Sequence, residues 1–106
     1  MPSHIAPLLA ALPDARQSEI VTECLRHDKL RIERIVSHGQ VSPPGFWYDQ
    51  DEHEWVLLLA GSAELELASG QRVRLGAGDA YQLPAHTRHR VSFTSQPAVW
   101  LAVFYR

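Results

Sequence analysis

Hydrophobic and polar residues alternate in short runs along most of the chain, with the period of two that is expected of half-buried β-strands. The alternation predicts an edge strand in Glu19–Leu25, where a helix is the alternative, and a strand in Leu30–His38. Further strands are predicted at Trp55–Leu59, Ala63–Leu67, Arg72–Leu75, Ala80–Leu83, His89–Phe93 and Val99–Tyr105. About eight or nine short strands separated by turns are typical of a β-sandwich or barrel.

The same alternation assigns side chains to the interior and to solvent. We expect a core of Val56, Leu58, Leu83, Val91, Phe93, Leu101 and Val103, and we expect Glu64 and Glu66 to face water. The runs Trp55–Leu59 and Val99–Tyr105 are apolar on both faces. A small barrel has only one interior, so this surplus of apolar surface predicts a homodimer.

Composition narrows the class of protein. The 106 residues are enough for one domain, which we assign as residues 1–106, with an N-terminal arm at 1–17 and a barrel core at 40–103. One helical turn is expected around Ala6–Leu12. The net charge of −2 without a basic run disfavours a nucleic-acid partner, and no segment has the roughly 20 apolar residues needed to span a bilayer.

The chain has a single cysteine, Cys24, which cannot form an internal disulfide. We expect it to be an ordinary buried or half-buried side chain. A chain without disulfides suits a reducing compartment, which predicts a cytoplasmic protein.

Two spacings carry a family resemblance. Gly78, Pro84 and His89 follow the pattern G, five residues, P, one residue, G, two residues, H, with His86 in the place of the second Gly. Glu54 precedes Gly61 by the pattern E, six residues, G. In both motifs the chain resembles cupins, specifically the small single-domain ones. The resemblance implies an all-β fold: a small antiparallel barrel, or double-stranded β-helix of the jelly-roll type, behind a short N-terminal arm.

The resemblance also implies a site inside the barrel. Of the four usual cupin metal ligands, Glu54 and His89 are carried over. The two first-motif histidine positions hold Tyr48 and Gln50 or, one residue further back, Trp47 and Asp49, and neither choice contains a histidine. Strand parity agrees with an inward Glu54, because it lies two residues from Val56 and so shares its face. The predicted pocket consists of Tyr48, Gln50, Glu54, His86 and His89. The predicted metal ligands are Glu54 and His89, with His53 and His86 as alternatives.

Imidazole and carboxylate ligands suit one divalent ion, Zn, Fe, Ni or Mn, and a barrel without metal is the alternative. The predicted function is the binding of a small molecule in the central pocket, with or without a metal ion. The alternative is a metal-dependent enzyme of the dioxygenase, isomerase or decarboxylase type that acts on a small organic acid or sugar. The sequence leaves open whether the protein is an enzyme.

Overall fold

A computed structural model describes residues 5–106, and the first four residues of the predicted arm lie outside the described part of the chain. The described residues form eight strands: β1 (Ile20–His27), β2 (Leu30–Ser37), β3 (His53–Ala60), β4 (Ser62–Leu67), β5 (Arg72–Gly76), β6 (Ala80–Leu83), β7 (His89–Thr94) and β8 (Ala98–Tyr105). They make a five-stranded sheet, β1-β2-β8-β3-β6, and a three-stranded sheet, β5-β4-β7, with antiparallel pairing throughout. The predicted all-β antiparallel fold is confirmed.

The N-terminal arm contains no helical turn in Ala6–Leu12, so that expectation was wrong. The segment contains Pro7 and is followed by Pro13, and a proline disfavours helical backbone at the residue before it. The arm is anchored by Ala15, which packs with Val36 and Val99 on the outer face of the five-stranded sheet. No helix in residues 5–106 has the length and apolar character to cross a membrane.

The core lies between the two sheets. Strand β3 contributes Val56 and Leu58, and it pairs with β8 in a register that places Ala102 opposite Val56 and Trp100 opposite Leu58. The buried core cluster is Val56, Leu58, Ala63, Leu65, Leu67, Leu75, Leu83, Ala98, Trp100, Ala102 and Phe104.

The inward face of β8 differs from the prediction. Trp100, Ala102 and Phe104 are buried, whereas Leu101 and Val103 are half-buried on the opposite face. Both faces of this strand are apolar, so alternation alone could not show which one is buried. The pairing with β3 determines the buried face.

Strand β7 also departs from strict alternation. Leu65 pairs with Val91 and Glu64 pairs with Phe93, so Ser92 is an extra residue in the ladder. The Ser92 hydroxyl donates to Glu64 Oε1 at 2.7 Å, which holds this bulge. A bulge reverses the alternation beyond it, so Phe93 points outward and is 49% exposed rather than in the core.

Two further expectations about exposure were wrong, and a third holds in part. Glu64 is buried rather than facing water, because Arg72 Nη1 and Arg74 Nε donate to its carboxylate at 2.8 and 3.1 Å. Glu66 lies on the outer face of β4 as expected, but it is half-buried and pairs with Arg90. Cys24 is exposed, since it lies on β1 at the edge of the sheet.

The assignment of inward and outward positions predicts unequal losses of stability for two truncations. Leu58→Ala should lower the free energy of unfolding by about 2–5 kcal/mol, because Leu58 is fully buried and its loss leaves a cavity. Phe93→Ala should cost less than about 1 kcal/mol, because half of that side chain already contacts water. Urea denaturation of both variants measures the difference. Equal losses would contradict the bulge.

Candidate functional site

A cavity of about 280 Å³ lies between the two sheets. It is near the lower end of the range of roughly 300–1,000 Å³ found for pockets that hold drug-sized ligands. Its lining combines apolar and ionisable residues: Glu19, Val21, Arg31, Glu33, Ile35, Tyr48, Gln50, Glu54, Val56, Leu65, Leu83, His89, Val91, Trp100, Ala102 and Phe104.

The long connection between β2 and β3 brings Tyr48 and Gln50 to the cavity. Tyr48 and His89 exchange two main-chain hydrogen bonds, with N···O distances of 2.7 and 3.2 Å. Their rings stack with centroids 5.3 Å apart. Two residues further on, the Gln50 carbonyl accepts a hydrogen bond from the main-chain N–H of His86 at 2.8 Å. The connection is therefore fixed to the start of β7 on both sides of Asp49.

Glu54 and His89 face each other inside the cavity. Glu54 Oε1 lies 3.7 Å from His89 Nε2, which is longer than a hydrogen bond. His89 Nδ1 lies 2.7 Å from the carbonyl of Thr87. A carbonyl can only accept, so Nδ1 carries the proton and Nε2 of the neutral ring presents its lone pair towards Glu54.

Burial shifts the pKa of both groups in the direction that favours the neutral form. It raises the pKa of Glu54 to about 7; the charge of Glu33 adds to this rise, and Arg31 opposes it. Burial also lowers the pKa of His89, with an opposing effect from its hydrogen bond to Thr87. Burial therefore favours the neutral form of both groups.

Polar atoms of the cavity lack protein partners among residues 5–106. Glu54 is 8% exposed, yet its carboxyl makes no hydrogen bond with any of these residues. The same holds for the Tyr48 hydroxyl and the Gln50 side-chain amide. Burial and the nearby carboxylates of Glu19 and Glu54 raise the pKa of Tyr48, so its hydroxyl keeps its proton. Tyr48 and Gln50 are half-buried, and all three side chains line the cavity with polar atoms free for a polar ligand.

The residues at the site fit a metal ion poorly. Zinc and similar ions usually take three or four protein donors. No three His, Cys, Asp or Glu side chains of residues 5–106 are arranged to hold one. Glu54 and His89 supply two donors, and the remaining ligand positions of the cupin pattern hold a phenol and an amide.

The two alternative histidines lie outside the cavity lining. His53 Nδ1 accepts a hydrogen bond from the main-chain N–H of Ala85 at 2.9 Å. His86 is exposed, and its Nδ1 lies 2.8 Å from Asp49 Oδ1. Its φ of 64° is left-handed, which explains why the cupin pattern has Gly at this position. His86 therefore fixes the rim of the site rather than the cavity wall.

Three charged residues of the cavity were missed by the sequence analysis. Arg31 and Glu33 line it from β2, and Glu19 lines it from the segment before β1. The alternation of Arg31 and Glu33 with Leu30 and Ile32 is the signal in the sequence. Charged residues in such an alternation normally face solvent, but the face of β2 that carries Arg31 and Glu33 points into the cavity.

Comparison with known proteins identifies the family. The chain matches the cupin domain over residues 33–104, so it belongs to the cupin family. A comparison with curated proteins finds no match.

Solved structures agree with this assignment. A protein of Ralstonia eutropha JMP134, named a putative mannose-6-phosphate isomerase, has 44% identity and a TM-score of 0.91, with 98% of each chain covered. A cupin superfamily protein of Desulfitobacterium hafniense DCB-2 has 20% identity and a TM-score of 0.80, covering 99% of this chain and 94% of that one. An RmlC-like cupin of Shewanella frigidimarina NCIMB 400 has 16% identity and a TM-score of 0.72, covering 87% and 79%. The last two likenesses concern the fold alone.

The raised pKa of Glu54 predicts a stability that falls with pH. The native state holds this proton longer than the unfolded chain does, so stability declines as pH rises from the unfolded value of 4.5 to about 7. Glu54→Gln removes that penalty, which amounts to roughly 3 kcal/mol above pH 7 at 1.36 kcal/mol per pKa unit. The variant should be more stable than the parent at pH 8 and similar to it at pH 4, measured by urea denaturation.

Glu66→Gln is the matched control, because Glu66 lies on the outer face of β4 and pairs with Arg90 at 3.1 Å. It should keep the decline with pH that the parent shows. A parent protein whose stability does not fall between pH 5 and pH 8 would contradict the assigned state of Glu54.

Proposed function

We propose that this cupin binds a small organic molecule in the cavity between its sheets. The observation that carries the proposal is the pair of Glu54 and His89, which are buried, face the same cavity and lack a hydrogen bond to each other. Leaving such groups without partners costs about 1–3 kcal/mol each, and a ligand that hydrogen-bonds to them recovers this. Tyr48 and Gln50 add two polar contacts beside them.

The same pair favours a second candidate, an enzyme that moves a proton on a bound sugar or organic acid. General acid–base catalysis is most effective when the pKa of the group lies near the working pH, and the pKa of Glu54 is about 7. His89 Nε2 is an unprotonated acceptor on the same side of the cavity. The name of the Ralstonia protein makes mannose 6-phosphate a reasonable first probe for this activity.

A divalent metal ion is a weaker part of the proposal. Glu54 and His89 are the two side chains that would hold it, and an ion there would polarise a ligand oxygen. With two such donors we propose weak and partial occupancy. Binding would need neutral imidazole and ionised carboxylate, so it should strengthen as pH rises.

The binding proposal is tested by NMR titration of the isotope-labelled protein with mannose, mannose 6-phosphate, cyclohexanol, cyclohexylammonium and, separately, Zn, Ni, Mn and ferrous ions. We expect shifts concentrated on the cavity lining, including the His89 ring, for at least one organic probe. Val91→Phe should abolish them, because Val91 lines the cavity and the larger ring fills it.

Val41→Phe is the control for bulk, since Val41 is half exposed in the connection before β3 and does not line the cavity. It should leave binding unchanged. Shifts confined to residues outside the lining, or no shifts with any organic probe, would contradict the proposal. Conversion of mannose 6-phosphate that Glu54→Gln abolishes would favour the enzyme over the binding protein.

We also propose that the protein is a homodimer and that it is cytoplasmic, as its single exposed thiol suits a reducing compartment. The outer face of the five-stranded sheet supports association. Trp55 on β3 is 37% exposed, and Leu57, Leu101 and Val103 beside it are half-buried. The arm covers this face at Val36 and Val99 but leaves these four side chains uncovered. We name these four residues the outer apolar patch.

Light scattering at micromolar concentration should give twice the mass of the chain. Val103→Asp in the outer apolar patch should give the monomer mass, because it would bury a charge in the interface. Phe93→Asp on the other sheet should leave the dimer intact. A monomeric parent protein would contradict this proposal without affecting the ligand site.

A further inference from the structure

The charges that line the cavity are unbalanced. Three carboxyl groups, those of Glu19, Glu33 and Glu54, share the lining with one guanidinium group, that of Arg31. The negative charge of Glu33 lies close enough to Glu54 to contribute to its raised pKa. A cavity with this balance attracts a cation and repels an anion.

The single guanidinium group is already neutralised. Arg31 donates to Glu52 at 2.8 Å and to Glu33 at 3.0 Å, and its Cζ lies 4.1 Å from the centre of the Phe104 ring. Both carboxylates and an aromatic face therefore hold it against the wall. Little of its positive charge is left for a phosphate or carboxylate ligand.

Glu54 is the carboxyl that is left for a ligand. Its side chain is nine-tenths buried and lines the cavity, while it accepts no hydrogen bond from residues 5–106. Glu33 forms an ion pair with Arg31, and Glu19 accepts a hydrogen bond from the Ser37 hydroxyl. An ammonium group would supply Glu54 with both an opposite charge and up to three hydrogen-bond donors.

The rest of the wall is apolar. Leu83 and Val56 flank Glu54, and Trp100 and Val91 close the cavity from β8 and β7. Burying a hydrocarbon group against these side chains is favourable in proportion to the area removed from water. The volume of about 280 Å³ has room for a group of the size of one six-membered ring.

We propose that the ligand is a protonated amine with a compact hydrocarbon body, whose ammonium group binds the carboxylate of Glu54. This inference rests on the proposed binding function and names the chemical class of its ligand. Neutral alcohols would satisfy the hydrogen bonds but not the charge, and carboxylates and phosphates would add to the existing negative charge.

Calorimetric titration with three probes of one shape tests the inference: cyclohexylammonium, cyclohexanol and cyclohexanecarboxylate. We expect the ammonium probe to bind at least about tenfold more tightly than the alcohol, with the carboxylate weakest.

Glu54→Gln should remove the preference for the ammonium probe, while Glu66→Gln should retain it. Denaturation curves show that the variants are folded. Tightest binding of the alcohol or the carboxylate would overturn the inference and leave the proposed binding function standing. Absence of binding by all three probes, together with no shifts in the NMR titration, would overturn both.

Discussion

The pairing of β3 with β8 is the constraint on which the site depends. Residues on a strand alternate between two faces, so a strand that buries Val56 and Leu58 must also turn residue 54 towards the interior. The register places Glu54 opposite Phe104 and brings β8 aromatic side chains to the same face. The carboxyl is therefore inside because its strand neighbours are core residues. Moving it to solvent would require a bulge or a shift of the whole ladder.

The sequence predicted the architecture well because turn residues and alternation are local signals. All eight strands were placed, and Gly61 and Gly78 both have the positive φ that a turn needs. The inward faces were less predictable. Strand β8 is apolar on both faces, and β7 reverses its alternation at Ser92. In both strands the face is decided by a neighbour distant in sequence, through the register with β3 and the bond to Glu64.

Site residues were predictable where the cupin motif, or a strand face shared with core residues, gave their positions. Tyr48, Gln50, Glu54 and His89 all line the cavity, and their binding role stays a prediction. The charged residues of β2 were not predictable, because alternating Arg and Glu side chains normally face water. The opposite face of β2 carries Leu30, Ile32 and Val36 besides Arg34, and the face with Arg31 and Glu33 turns inward. Knowledge of the sheet order, which no local pattern contains, would have been needed.

The energetics of Glu54 connect stability with function. A carboxyl held in a low-dielectric cavity without a partner weakens the native state whenever it is ionised, and replacement by an amide would remove that cost. Sites that violate the rules of stability in this way are commonly functional sites. Arg31 shows that the fold can pair a buried charge, since two carboxylates hold it against Phe104. The same sheet leaves Glu54 without a hydrogen-bond partner in residues 5–106, 3.7 Å from the imidazole of His89, and this contrast with Arg31 is the physical basis of the proposed ligand.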